Sequence, residues 1–299
     1  MYGYAARWEM LRQTLACWRF KVVMMPPLVG FRLSPLPDIV RDWQAIDFNV
    51  PQYLSGWFWL TYGWYWIATP DGDVPLNPPE FNAAFAPPPD FDPHLDYQVA
   101  RLWMDLEEML PAILEPLPED LARAVASGAW ESWWASLQAW WESIPDDDRL
   151  LELHWDARVQ AAGWWEARHL DMGYLAAPPV FRFWRAGDTV TLTWDTRGKR
   201  VDGALCWVET QGQTTLPVGE FTAEVRDFRA RLDTAMRERL REVEALGLLD
   251  APALASLEKQ HDSTLRTETR PPEQTDWNAV LAAIRTLEAG SGVRLAWTR

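Results

Sequence analysis

The chain has 299 residues, 48% of them apolar, which is enough to close a sizeable core without staples. Its net charge of −15, from 43 acidic and 28 basic side chains, repels phosphate backbones and anionic lipid. No local basic patch overrides that charge, so neither nucleic acid nor a membrane surface is expected as a partner. The two cysteines, Cys17 and Cys206, stand in unrelated contexts; they argue against a disulfide framework and for a reducing, cytoplasmic compartment, with both read as packed thiols.

Arg19 and Lys21 interrupt the apolar run from Leu15 to Gly30 where an export signal needs continuity. No window approaches the roughly 20 uninterrupted apolar residues of a spanning helix. Residues 1–25 fit the later patterning poorly and read as an N-terminal extension, ahead of a Trp-rich domain over 26–247 and a helical appendage over 248–299.

Phe31-Arg32-Leu33 alternates and then meets Pro35 and Pro37, which predicts a short edge strand with no helix behind it. From Trp57 to Ala68, two aromatic runs separated by Thr61-Tyr62-Gly63 predict a β-hairpin. Pro70-Asp71-Gly72-Asp73 predicts a second tight turn, and the proline-dense residues 75–92 a surface loop. A helix is expected from Asp92-Pro93 to Pro111, and another from about Pro118. Beyond Gly128, the residues Trp130, Trp133, Trp134, Leu137, Trp140, Trp141 and Ile144 are expected on one helical face.

Residues 150–170 read as a helix with a weak point at Gly163. Val180–Arg185, Thr189–Trp194, Ala204–Glu209 and Thr214–Val218 read as an antiparallel meander. A long helix follows from about Glu220 to Leu246, with Phe221, Val225, Phe228, Leu232, Leu240 and Val243 inward and Gly247 as its cap. Asp250 opens another helix, and Thr275 is expected to cap the last one, which should end before Gly290. The whole is an α+β pattern: an antiparallel sheet of about five to seven strands, covered by the Trp-striped helix and the long helix.

Several phrases resemble a bacterial domain family of unknown function. They are Phe31-Arg32-Leu33-Ser34-Pro35-Leu36, the aromatic run Trp57 to Ile67, and Trp164-Trp165 followed by Arg168-His169-Leu170-Asp171-Met172-Gly173-Tyr174-Leu175. Phe183-Trp184-Arg185, Trp194-Asp195 and Leu216-Pro217-Val218 continue the likeness over about residues 31–245. Tyr62 departs from it, standing where an acidic turn residue is expected, and the part after about residue 250 lies outside it. The resemblance implies no settled activity, substrate or cofactor; it implies a role near bacterial toxin-immunity or defence genes.

The 21 tryptophans are the most unusual feature, and core packing is the first reading of them. In the aromatic run, strand alternation sends neighbouring rings to opposite faces, which makes Trp57, Trp59, Trp64 and Trp66 candidates for stacking on a sugar ring, a base or a peptide unless a helix covers them. Arg168, Asp171, Tyr174 and Arg185 are polar residues set among Trp165 and its apolar neighbours, where an unpaired charge is costly to bury. Either Arg168 pairs with Asp171 to fix the turn at Gly173, or these residues recognise an anion or a substrate.

The four histidines show no metal spacing, although His154 with Asp156 and His169 with Asp171 form two His-x-Asp pairs that could converge. No phosphate loop or nucleophile elbow is present, so no catalytic residue, metal or cofactor is assigned. The expectation is a non-catalytic binding protein with a protein partner of basic character, from a bacterial defence or toxin-immunity system; homo-oligomerisation stays open. Two alternatives are an enzyme or small-ligand sensor built on Glu166, Arg168, His169 and Asp171, and a sugar- or peptide-binding module built on exposed tryptophans.

Overall fold

The computed structural model describes residues 26–84, 92–144, 148–265 and 271–297. The expected N-terminal extension, Cys17 and part of the proline-dense loop lie outside the described residues. Among the described residues strand β1 (Val29–Leu33) pairs only with β2 (Tyr62–Thr69), which makes it the edge strand its alternation predicts. On its other side β2 pairs with β3 (Gly72–Val74), through the turn at Pro70-Asp71, and with β4 (Leu95–Gln98).

The expected hairpin over Trp57–Ala68 is not formed. Trp59–Thr61 is a single 3-10 turn, and all of Tyr62–Thr69 is one continuous central strand. Gly63 serves close approach and not a turn: a Cβ there would stand 2.2 Å from the Arg32 carbonyl oxygen across the β1–β2 pair. Between these strands lie α1 (Leu36–Ala45) and α2 (Val50–Leu54). Pro37 does not prevent α1, because it falls in the first turn, where its missing N–H has no partner to lose. A short helix, α3 (Pro79–Ala84), occupies the start of the expected loop.

The helix expected from Asp92 begins later, as α4 (Val99–Leu114), because Leu95–Gln98 is claimed by β2 as a fourth strand. It also runs through Pro111 instead of ending there. Then come α5 (Glu119–Ala126), α6 (Ala129–Ser143), entered through Gly128 in the left-handed region at φ 72°, and α7 (Asp148–Glu166), which passes Gly163 without a break.

Strands β5 (Val180–Ala186), β6 (Thr189–Asp195) and β9 (Gln211–Pro217) form the expected antiparallel meander as a three-stranded sheet. The two-residue strands β7 (Arg200–Val201) and β8 (Ala204–Leu205) make a separate ribbon. The strand expected to reach Glu209 stops at Leu205 because Cys206 and Trp207 turn into the interior, with the Trp207 indole donating to the Ala177 carbonyl at 2.8 Å. The class is therefore α+β and antiparallel, with its strands divided between a four-stranded sheet, a three-stranded sheet and the ribbon.

Helix α8 (Val218–Leu246) carries the predicted inward stripe and ends at Gly247 with φ 65°. It is followed by α9 (Ala251–Leu265) and α10 (Trp277–Ser291). Asp276, not Thr275, caps α10 by accepting from the Ala279 amide at 3.0 Å, and the helix continues past Gly290 to Ser291.

Two cores result. The first lies between both sheets, α4 and α8, around Tyr65, Trp103, Phe181, Phe183, Leu192, Phe221 and Phe228. The second lies among α5, α6, α7 and α10, around Trp130, Trp133, Trp164, Trp165, Trp184, Ile284 and Leu287. On α6 only Trp130, Trp133 and Leu137 are buried, while Trp134, Trp140, Trp141 and Ile144 are half-buried. Seven large apolar residues span more of the helix than one covered face can take.

Candidate functional site

Past the end of α7 the chain runs beside β5 in extended form. The Phe183 amide donates to the Arg168 carbonyl and the Leu170 amide to the Phe181 carbonyl. Extended backbone alternates its side chains, so Arg168 and Leu170 point into the protein while His169 and Asp171 point out. The expected Arg168–Asp171 ion pair is therefore absent. Arg168 is fully buried and bonds Glu115 Oε2 at 3.1 Å and the Trp164 carbonyl at 2.6 Å. Asp171 is 75% exposed and accepts from the Gly173 amide at 2.8 Å.

The outward-pointing side chains reach a cleft of about 350 Å³ between α4, the end of α7 and the segment before α10. Among the described residues, five carboxylates line it: Asp105 and Glu108 from α4, Glu166, Asp171, and Glu273. His169 and Arg101 complete its polar wall. The Arg101 guanidinium grips Asp105 with two bonds, at 2.8 and 3.1 Å, and stands 3.9 Å from Asp171. It lies over the Tyr174 ring at 5.3 Å; that ring stacks on Tyr97 at 4.4 Å, and its hydroxyl meets the Tyr65 hydroxyl at 2.7 Å. Tyr174 thus props up Arg101, the one arginine among the described residues that line the cleft.

Asp105 is 5% exposed, and burial pushes its carboxyl up to about 6, against the pull of Arg101 and with the repulsion of Asp171 and Glu108. The His169 imidazole and then the Arg182 guanidinium, each 3.7 Å away, hold the Glu166 carboxyl below the usual range against the effect of burial. Glu166, His169 and Asp171 are thus brought together as their closeness in sequence suggested, whereas Arg168 of that quartet faces the opposite way. Arg101, Asp105 and Glu108 lie at i, i+4 and i+7 of one helix, a polar stripe that could have marked them. Nothing in the sequence brings Glu273 to the same place.

The other candidates are scattered. Trp57 is buried and donates to His261; Trp59 is 41% exposed on the 3-10 turn. Trp64 is half-buried under the Arg32 guanidinium, and Trp66 stacks on His94 at 4.0 Å. These four rings do not make one platform. Trp165 is buried beneath Arg182, and Arg185 bonds the Leu114 and Gly187 carbonyls. His154 packs edge-on to Trp140 in the second core, apart from the partners of His169, so the two His-x-Asp pairs share no site. Among the described residues no cluster of three or more His, Cys, Asp or Glu could hold a metal ion, and no helix is long and apolar enough to cross a membrane.

Among the described residues, two larger sheets, a tryptophan-built helical core and an acidic cleft define an α+β protein. It belongs to a family of unknown function (DUF5984), whose model matches residues 28–283. That match extends beyond the resemblance read from the sequence, through α9 and into α10. No curated protein matches the chain, and neither does any solved structure.

Proposed function

We propose that this protein is a non-catalytic, cytoplasmic binding protein of a bacterial defence or toxin-immunity system, and that its acidic cleft takes a basic segment of a protein partner. The observation that carries this reading is the cleft itself, where, among the described residues, five carboxylates face one arginine that Asp105 already engages. A lysine or arginine side chain entering there meets Glu108, Asp171 and Glu273, and the chain's net charge of −15 steers basic partners towards it. The tie to defence or immunity rests on the family resemblance alone.

An oligo-arginine peptide titrated by calorimetry across a salt series is the test. Affinity should fall as salt rises, and the double change Glu108→Gln with Asp171→Asn should weaken binding about five- to tenfold, in line with the loss of two charge-assisted contacts. A control pair on α5, Glu119→Gln with Asp120→Asn, should leave affinity unchanged. Equal weakening by both pairs would mean that only bulk charge is at work and would remove the cleft from the reading. Asp105 supplies a pH dependence: as pH falls through about 6 its carboxyl takes up a proton, the cleft loses a negative charge, and binding weakens. Asp105→Asn should flatten that step.

A further inference from the structure

Helix α9 is fastened to the body by its own Gln260 and His261 and by Arg229 of α8, whose guanidinium donates to the Leu265 carbonyl. Gln260 accepts from the Trp57 amide at 3.1 Å and donates to the Ser55 carbonyl at 3.0 Å. His261 is 2% exposed, and its Nδ1 accepts from the Trp57 indole N–H at 3.0 Å. An indole nitrogen only donates, so Nδ1 carries no proton, and the imidazole is the neutral tautomer protonated at Nε2. That Nε2 stands 3.1 Å from Asp233 Oδ1 on α8, off the line of a good hydrogen bond.

We propose that His261 is a pH-sensitive latch: proton uptake at Nδ1 sets one N–H against the Trp57 N–H, breaks that bond, and releases α9 from α8 and from the turn at residues 55–57. Both ring nitrogens of the charged imidazole are donors, and the indole offers no acceptor in its place. Release also draws Leu257 and Leu265 out of the first core, uncovering apolar surface on α8.

The charges around the imidazole set the sign. From α8 it faces Asp233 and Arg237, and from its own helix Asp262; the 55–57 turn contributes no titratable group. Asp233 also bonds Arg237 at 3.1 Å, which divides its pull on an imidazolium. Two grooves of about 370 and 440 Å³ flank the ring and give water a route to it. Arg226 and Arg229 line one, and Arg241, Glu244 and Glu258 the other. Burial first, and Arg237 with it, holds the imidazole below its ordinary 6.5, against Asp233 and Asp262. The released form therefore binds a proton more readily than the docked one. Docking is complete above about 6.5 and weakens as pH falls from there towards the docked value.

Hydrogen exchange of the α9 amides in the full chain, corrected for intrinsic rates, tests the latch between pH 7.5 and 5.5. Opening of α9 should rise by up to about tenfold per pH unit below 6.5, the limit for one titrating group. His261→Gln keeps an acceptor for the indole and a donor towards Asp233 but does not titrate, so its α9 protection should be independent of pH. Wild-type protection that does not change with pH, or a His261→Gln protein that loses it as steeply as wild type, overturns the proposal. Trp57→Phe is read separately by the NMR titration of His261. Without the opposing N–H the midpoint should move up, and an unchanged midpoint also overturns it.

Discussion

Among the described residues, the first core, between the sheets and α8, and the second, among α5, α6, α7 and α10, each bury one arginine, and they hold it differently. In the first, Arg239 is capped by the Ser34 and Leu60 carbonyls, and its one carboxylate, Glu242, is 56% exposed at 3.2 Å. In the second, the Trp164 carbonyl also accepts from Arg168, at 2.6 Å, but the counter-charge is Glu115, which is itself buried. Glu115 Oε1 also accepts the Thr275 amide and Oε2 the Thr275 hydroxyl, both at 2.7 Å. One carboxylate thus joins α4, the end of α7 and the entry to α10. Backbone carbonyls can absorb a buried cation with little dependence on any one side chain; a buried carboxylate concentrates that dependence in a single residue.

The widest gap between the two regions should appear when each arginine loses its carboxylate. Glu115→Ala leaves a fully buried guanidinium without its counter-charge and should cost about 3–5 kcal/mol in urea denaturation. Glu242→Ala should cost less than about 1 kcal/mol, as for a surface pair. Similar costs for the two would erase the distinction.

A smaller effect separates rings within the second core. Trp130, Trp133, Trp164 and Trp165 pack with centroids 4.8 to 5.3 Å apart. The Trp133 indole N–H donates to the Val293 carbonyl at 3.2 Å, while the Trp130 N–H is buried without a hydrogen-bond partner. Trp133→Phe should therefore destabilise by about 1 kcal/mol more than Trp130→Phe, since it strands the Val293 carbonyl and the other removes an unmet donor. Equal melting temperatures for the two would count against that ordering. The smallest effect belongs to Asp171→Asn. With no buried partner to lose, it should stay within about 0.5 kcal/mol of wild type, where a structural Arg168–Asp171 pair would have cost several-fold more.

Legibility in the sequence tracked how local the deciding physics was. The α8 stripe from Phe221 to Val243 and the β5–β6–β9 meander were readable because periodicity and turn residues lie within one element. The aromatic run misled because Gly63 answers to Arg32 on another strand and not to its own neighbours. Leu95 and Val99 fit helical spacing, and only pairing with β2 makes Leu95–Gln98 a strand. The outward half of the cleft was visible in Glu166, His169 and Asp171. The partner of Arg168 was not, since Glu115 lies 53 residues away on the far side of α5, α6 and α7.

In each of the larger sheets, one glycine on an edge strand faces a tryptophan on the central strand: Gly30 opposite Trp66, and Gly212 opposite Trp194. A Cβ at either glycine would stand 2.1 or 2.3 Å from the indole, so each ring lies across bare backbone. A slip of one residue would bring Val29 or Phe31, or Gln211 or Gln213, beneath a ring that has no room for it. Each pair works as an alignment key for its sheet, and it protects the strands most exposed to mispairing with another molecule from annealing out of step.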